Sequence, residues 1–178
     1  MINKSKSALY QCIFSISTFL LCISQLIAQE NGFYEIEINS PISTESLNKA
    51  TKSDNSEFYD LTYKLLPTVY VENNNINLGG NSGYDNLPIT KLTFHDTKSF
   101  NILNQAKSEF NNVELMTIKV LTANDLSNRI DLTDVRGLNQ LKYIYIECYF
   151  ECAESQIKAF ITLDNPDVRF FYKVNKPS

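Results

Sequence analysis

Histidine is almost absent from this chain of 178 residues, since His95 is its only one. Two of its four cysteines, Cys12 and Cys22, fall within the first 28 residues, which leaves Cys148 and Cys152 for the rest of the chain. A structural zinc site takes four ligands, mostly thiolates and imidazoles. The sequence therefore predicts no metal site and no cofactor.

Glycine is also scarce, with five residues, and none of them forms a glycine-rich loop of the kind that cradles phosphate groups. The Gly-x-Ser-x-Gly motif of hydrolases and the His-Glu-x-x-His motif of metalloproteases are missing. Carboxylate pairs, Glu147 with Glu151 and Asp125 with Asp131, could act on a glycan. We predict that the protein is not an enzyme, and a small exported α/β hydrolase acting on a glycan or peptide is the alternative.

Clusters of basic side chains are missing as well. The 16 Lys and Arg residues are outnumbered by 20 Asp and Glu residues, which gives a net charge of −4. Binding to a phosphate backbone requires a basic patch. We therefore expect no nucleic-acid partner.

No apolar run reaches the roughly 20 residues that a membrane span needs. The N-terminus instead places Lys4 and Lys6 before a shorter apolar stretch, 12–27, which ends at the small residue Ala28. This pattern is typical of a secretory signal. We predict a signal peptide at 1–28, a secreted or periplasmic bacterial protein, and a single domain at 29–178 without a membrane span.

The chain does contain a repeated apolar pattern, Leu-x-x-Leu-x-Leu in outline, with first members about 24 to 31 residues apart. The five copies are Phe33/Ile36/Ile38, Phe58/Leu61/Tyr63, Ile89/Leu92/Phe94, Val113/Met116/Ile118 and Leu141/Ile144/Ile146. Apolar residues follow a helical spacing at 43–52, 99–110 and 153–160. An Asn/Gly-rich stretch at 73–86 indicates an exposed loop. Apolar residues alternate along 167–174, which predicts a last strand. This succession of strand and helix segments predicts an α/β domain with parallel strands.

The segment 135–146, Val-Arg-Gly-Leu-Asn-Gln-Leu-Lys-Tyr-Ile-Tyr-Ile, resembles the leucine-rich repeat. The resemblance covers roughly residues 33–174 and is sharp over 113–146. It implies a short solenoid with a curved parallel sheet, short helices or turns on the convex side, and protein binding. The family's asparagine or cysteine after each strand is replaced by Pro41, Leu66, Thr97, Leu121 and Tyr149. An unrelated α/β domain with similar strand spacing is therefore the alternative.

In the repeat register the fourth and sixth positions of each copy face the core, so Ile144 and Ile146 are predicted to be buried. The third, fifth and seventh positions face outward, where aromatic residues among charges suit a protein-binding face. The predicted binding residues are Lys91, Thr93, His95, Lys119, Tyr143, Tyr145, Glu147, Arg169 and Phe171. The alternative is that the aromatic residues only cover the sheet or pack on a terminal segment.

Cys148 and Cys152 lie close together in a chain that is predicted to be exported, and an oxidising compartment favours disulfides. We predict a local disulfide between them, with two free thiols as the alternative. The function that we predict is a secreted recognition module that binds a protein partner through the exposed face of its sheet.

Overall fold

The computed structural model describes residues 32–36, 55–79, 87–105 and 108–175, all within the compact unit Asn31–Ser178. The predicted signal peptide at 1–28 and the predicted helix at 43–52 lie outside these residues. The strands are β1 (Phe33–Glu35), β2 (Thr68–Glu72), β3 (Asn75–Gly79), β4 (Lys91–Phe94), β5 (Leu115–Val120), β6 (Ile130–Asp131), β7 (Tyr143–Cys148), β8 (Ile161–Thr162) and β9 (Arg169–Val174). The helices are α1 (Ser56–Tyr63), α2 (Glu154–Phe160) and three 3-10 turns, Phe100–Gln105, Ser108–Phe110 and Ala123–Ser127.

Seven of the strands form one sheet in the order β1-β9-β7-β5-β4-β2-β3, and every neighbouring pair is parallel except β2 and β3. Within this sheet β2, β4, β5, β7 and β9 lie side by side in chain order, whereas β3 lies on the other side of β2. Strands β6 and β8 form a separate parallel pair. The predicted α/β fold with a mostly parallel sheet is confirmed, as are the last strand and the helix before it.

Two parts of the predicted repeat array are wrong. The copy at Phe58, Leu61 and Tyr63 forms the helix α1, because a spacing of three residues also places Phe58 and Leu61 on one face of a helix. Strand β2 takes the place beside β4 that this copy was expected to fill. Phe33 of the first copy lies in β1, which pairs with β9 at the far edge of the sheet, and Ile38 of this copy lies outside the described residues.

The first part of the Asn/Gly-rich stretch, 73–79, forms a hairpin with β2 although the sequence indicates a loop, and 80–86 lies outside the described residues. Asn73 and Asn74 have positive φ angles of 51° and 60°, the conformation that a two-residue type I′ turn requires and that asparagine tolerates. The Asp96 carboxylate accepts the Asn73 N–H at 2.7 Å, and the Ser99 hydroxyl accepts the Asn74 N–H at 2.9 Å. These bonds hold the turn so that Asn75–Gly79 pairs with β2.

The main core lies against one face of the large sheet. Ile144 and Ile146 are fully buried there, as predicted. Ile130 of β6, Ile161 of β8 and Phe160 of α2 belong to the same buried cluster. The second face of the sheet is partly covered by α1, and it is called the α1 face below.

Candidate functional site

The α1 face carries the predicted columns of side chains in the expected register. Lys91, Leu115, Tyr143 and Arg169 lie side by side on β4, β5, β7 and β9. The second column contains Thr93, Thr117, Tyr145 and Phe171, and the third continues with Lys119, Glu147 and Lys173.

The expectation that these columns are exposed is wrong for the aromatic residues. Tyr143, Tyr145 and Phe171 are 5%, 4% and 1% exposed, and Thr93 is buried as well. The reason is Phe58 of α1, whose ring lies 3.8 to 5.7 Å from the three aromatic rings between centroids. The alternative, in which these aromatic residues only cover the sheet or pack on a terminal segment, agrees with their burial, but the segment that covers them is α1 and not a terminal one.

Polar contacts hold the first turn of α1 on the sheet. The Arg169 guanidinium donates to the Asn55 side chain at 2.6 Å, and the Tyr143 hydroxyl donates to Glu57 at 2.9 Å. Lys142 pairs with both Glu57 and Glu114 at 2.7 Å. The hydrogen bond from Lys142 lowers the pKa of Glu57, whereas burial and the bond to Glu57 raise the pKa of Tyr143 to about 12.

The end of α1 is held by Lys91 of β4. Its ammonium group donates to the carbonyl oxygens of Thr62 at 3.1 Å and Lys64 at 3.4 Å. A positive charge is favourable at the negative end of a helix dipole, although burial lowers the pKa of Lys91. Three of the nine predicted binding residues, Lys91, Tyr143 and Arg169, therefore make polar contacts with α1 or its N-cap. Two more, Tyr145 and Phe171, pack against Phe58 of the same helix.

The part of the α1 face at the carboxyl ends of the strands is less covered. Lys119, Glu147 and Lys173 are half-buried there, and the next outward residues, Leu121 and Tyr149, are 50% and 41% exposed. The Tyr149 N–H donates to the Val120 carbonyl at 2.9 Å, which places Leu121 and Tyr149 on adjacent strand ends.

The C-terminal part of α1 borders the same region through two tyrosines. Tyr59 and Tyr63 have parallel rings with centroids 6.2 Å apart, and Tyr63 is 61% exposed. Burial raises the pKa of Tyr63, with Tyr59 and the Glu147 carboxylate as further causes. We call Tyr63, Lys119, Leu121, Glu147, Tyr149 and Lys173 together the carboxyl-end surface.

Sequence reasoning found Lys119 and Glu147 of this surface and missed its apolar members. Leu121 and Tyr149 continue the outward alternation of β5 and β7 by one further step, a signal that was present in the sequence. Tyr63 could not be found in this way, because it belongs to a helix.

His95 ends the third column beside Lys119. Its ring meets the Tyr70 ring edge-on with centroids 5.5 Å apart. Its Nε2 atom is buried and has no hydrogen-bond partner within the part of the chain that the structure describes. Cys148 belongs to the main core on the other face of the sheet, which separates its thiol from His95.

Cys148 and Cys152 are buried free thiols in the structure. Burial, reinforced by the neighbouring thiol, raises the pKa of Cys148, and burial also raises the pKa of Cys152. Both groups are therefore protonated at neutral pH and are poor nucleophiles in this state. The disulfide stays a prediction.

Two of the four carboxylates that could serve a hydrolase, Asp125 and Asp131, have local structural partners. Asp125 accepts hydrogen bonds from the Thr122 N–H at 2.8 Å and its hydroxyl at 3.0 Å, and it thereby caps a 3-10 turn. Asp131 accepts the Thr133 N–H at 3.0 Å and its hydroxyl at 2.6 Å, and these bonds lower its pKa. The side chains of both aspartates thus stabilise local turns.

Within the described ranges no group of His, Cys, Asp or Glu side chains is arranged to hold a metal ion. No helix among those same residues combines the length and the apolar character that crossing a membrane would need. No protein-family model matches the chain, and comparisons with curated proteins and with solved structures find no significant match.

Proposed function

We propose that this chain is a secreted, non-enzymatic recognition module that binds a protein partner through its carboxyl-end surface. The observation that carries the proposal is the exposure of Leu121 and Tyr149 on adjacent strand ends, next to charged residues. Partly exposed aromatic and aliphatic groups surrounded by charges are typical of protein interfaces. Ligands of open α/β sheets also bind at the carboxyl ends of the strands.

The architecture that we propose for this module is a short, degenerate array similar to leucine-rich repeats. Its support is the order of β4, β5, β7 and β9, which lie side by side in chain order and in one parallel register. A second parallel pair, β6 and β8, joins the core from the side opposite the α1 face. Two features depart from a regular array: β1 lies at the far edge of the sheet, and the second copy forms the helix α1.

A hydrolase is the less favoured function. A glycosidase needs a carboxylic acid whose raised pKa keeps it protonated at working pH. The carboxyl groups with a shifted pKa among the described residues, Glu57, Asp96 and Asp131, are all shifted downward. In Asp96, hydrogen bonds from Asn73, Lys98 and Ser99 outweigh the effect of burial.

Site-specific photocrosslinking tests the proposed surface. A benzophenone amino acid is placed at Leu121 or Tyr149, with Leu78 as a matched control, because Leu78 is 75% exposed on the hairpin strand β3. We expect one protein from the source organism to crosslink at positions 121 and 149 and not at 78. The crosslinks should be lost when Tyr63 is also changed to Ala. Equal amounts of the same crosslinked product from all three positions would contradict the proposal.

A further inference from the structure

The charges of the carboxyl-end surface indicate what kind of partner it fits. Lys119 on β5 and Lys173 on β9 flank Glu147 on β7 in one row of the sheet. None of the ion pairs formed between described residues involves either lysine. This row therefore has a local excess of positive charge on a chain whose net charge is −4.

Hydrogen-bond donors also outnumber acceptors on this surface. Tyr63 and Tyr149 have raised pKa values, chiefly because of burial and with a contribution from Glu147. Their hydroxyl groups stay protonated at neutral pH. The Tyr149 hydroxyl interacts with the Glu147 carboxylate, whereas the Tyr63 hydroxyl and the two lysines can donate to a ligand. Glu147 is the one carboxylate of the surface, so a ligand rich in acceptor oxygens is favoured.

The spacing of the lysines defines the ligand further. Lys119 and Lys173 are separated by two strand spacings, or about 10 Å. Residues three positions apart in an extended segment of polyproline II conformation lie on one side of it, because this helix has three residues per turn, and they are separated by about 9 Å. An extended segment that crosses the strands can therefore place one carboxylate at each lysine.

We propose that the partner presents an acidic, extended segment whose carboxylates, three positions apart, bind Lys119 and Lys173 while an apolar side chain packs against Leu121 and Tyr149. This inference rests on the recognition function proposed above and names its partner class. Glu147 then faces a backbone N–H or a hydroxyl of the segment. Complementary charge of this kind increases the association rate and excludes basic partners.

Poly-L-glutamate is the probe that tests this proposal, with fluorescence anisotropy of the labelled polymer as the measurement. We expect the full-length protein to bind it at low salt, more weakly at higher ionic strength because exposed charges are screened. Changing Lys119→Glu together with Lys173→Glu should weaken binding about tenfold. Glu147→Gln should strengthen it about twofold, because a repulsive charge is removed.

The matched control changes Arg129→Glu together with Arg136→Glu, two exposed residues outside the α1 face, with the same change in net charge. If this control binds poly-L-glutamate within about twofold of the wild-type affinity, a specific site is supported. If it loses as much affinity as the double lysine variant, the specific site is overturned. Preferential binding of poly-L-lysine, or weaker binding by Glu147→Gln, also overturns the acidic partner. The single variants Lys119→Gln and Lys173→Gln keep the test valid if the double variant does not fold.

The two proposals fail in different ways. Crosslinking at positions 121 and 149 without binding of poly-L-glutamate would leave the recognition function standing and overturn the acidic segment. Binding of poly-L-glutamate without a specific protein crosslink would overturn both, because the surface would then be only an anion-binding patch.

Discussion

The ring of Phe58 on α1 stacks on the ring of Phe171 on β9, with centroids 3.8 Å apart and planes 11° from parallel. Both residues are fully buried. A helix of eight residues is not stable in water by itself, so α1 depends on this contact and on its polar anchors. The same contact removes the aromatic residues of the sheet from solvent.

Phe58→Ala should lower the free energy of unfolding by about 3 to 5 kcal/mol, because it leaves a cavity under α1. Denaturant unfolding measures this loss. Tyr63→Ala on the same helix is the control, and since Tyr63 is 61% exposed we expect a change within roughly 1 kcal/mol. Equal and small losses for both variants would mean that α1 does not pack on the sheet.

Tyr145→Ala should be nearly as destabilising as Ile144→Ala, although the two side chains face opposite sides of β7. Ile144 is fully buried and Tyr145 is 4% exposed, so each truncation should cost about 2 to 5 kcal/mol. Thermal melts of the two variants and the wild type measure these losses of stability. A Tyr145→Ala variant that melts like the wild type would show that the α1 face is open to solvent.

The Glu57 carboxylate should make stability depend on pH. The hydrogen bond from Lys142 lowers its pKa below the ordinary value of 4.5. Its contribution is therefore complete above the unfolded pKa and is lost as the pH falls through the folded pKa. The loss should stay below about 1 kcal/mol, because the pair is half exposed.

Urea unfolding at pH 7 and at acidic pH, for wild type and Glu57→Gln, measures this contribution. The variant should lose less stability on acidification than the wild type. Glu109→Gln, an exposed glutamate on another segment, is the control. An identical pH dependence in wild type and Glu57→Gln would contradict the role of Glu57.

The disulfide between Cys148 and Cys152 is tested on protein isolated from the medium or periplasm without reductant. Mass spectrometry should show the loss of two hydrogens, and Cys152→Ser should lower stability by a few kcal/mol at most because the closed loop is short. In the reduced form alkylation should be slow, since both thiols are buried with raised pKa values. Two thiols alkylated rapidly in the native, unreduced protein would exclude the bond.

Export is tested by N-terminal sequencing of the same material. We expect the mature chain to begin at Gln29, after cleavage behind Ala28, because the preceding residues have the charge and apolar pattern of a signal. Protein that retains Met1 and is recovered from membranes would contradict the prediction.

For β4, β5, β7 and β9 the sequence by itself determined the parallel pairing and the lateral register. Alternation along 143–148 was sufficient to place Ile144 and Ile146 in the core and Tyr143 and Tyr145 on the other face. These are local properties, because the side-chain period of two is set by the backbone of a strand. The outward positions of Lys119 and Glu147 were predicted in the same way.

Only the tertiary structure decided what covers the second face. The pattern Phe-x-x-Leu at Phe58 and Leu61 fits a strand copy and a helical turn equally well, and packing on Tyr145 and Phe171 selects the helix. Phe58 and Phe171 are distant in the chain, and alternation within a strand carries no information about such a contact. The physical reason is that periodicity shows which face a side chain points to, whereas its burial depends on which other segment packs there.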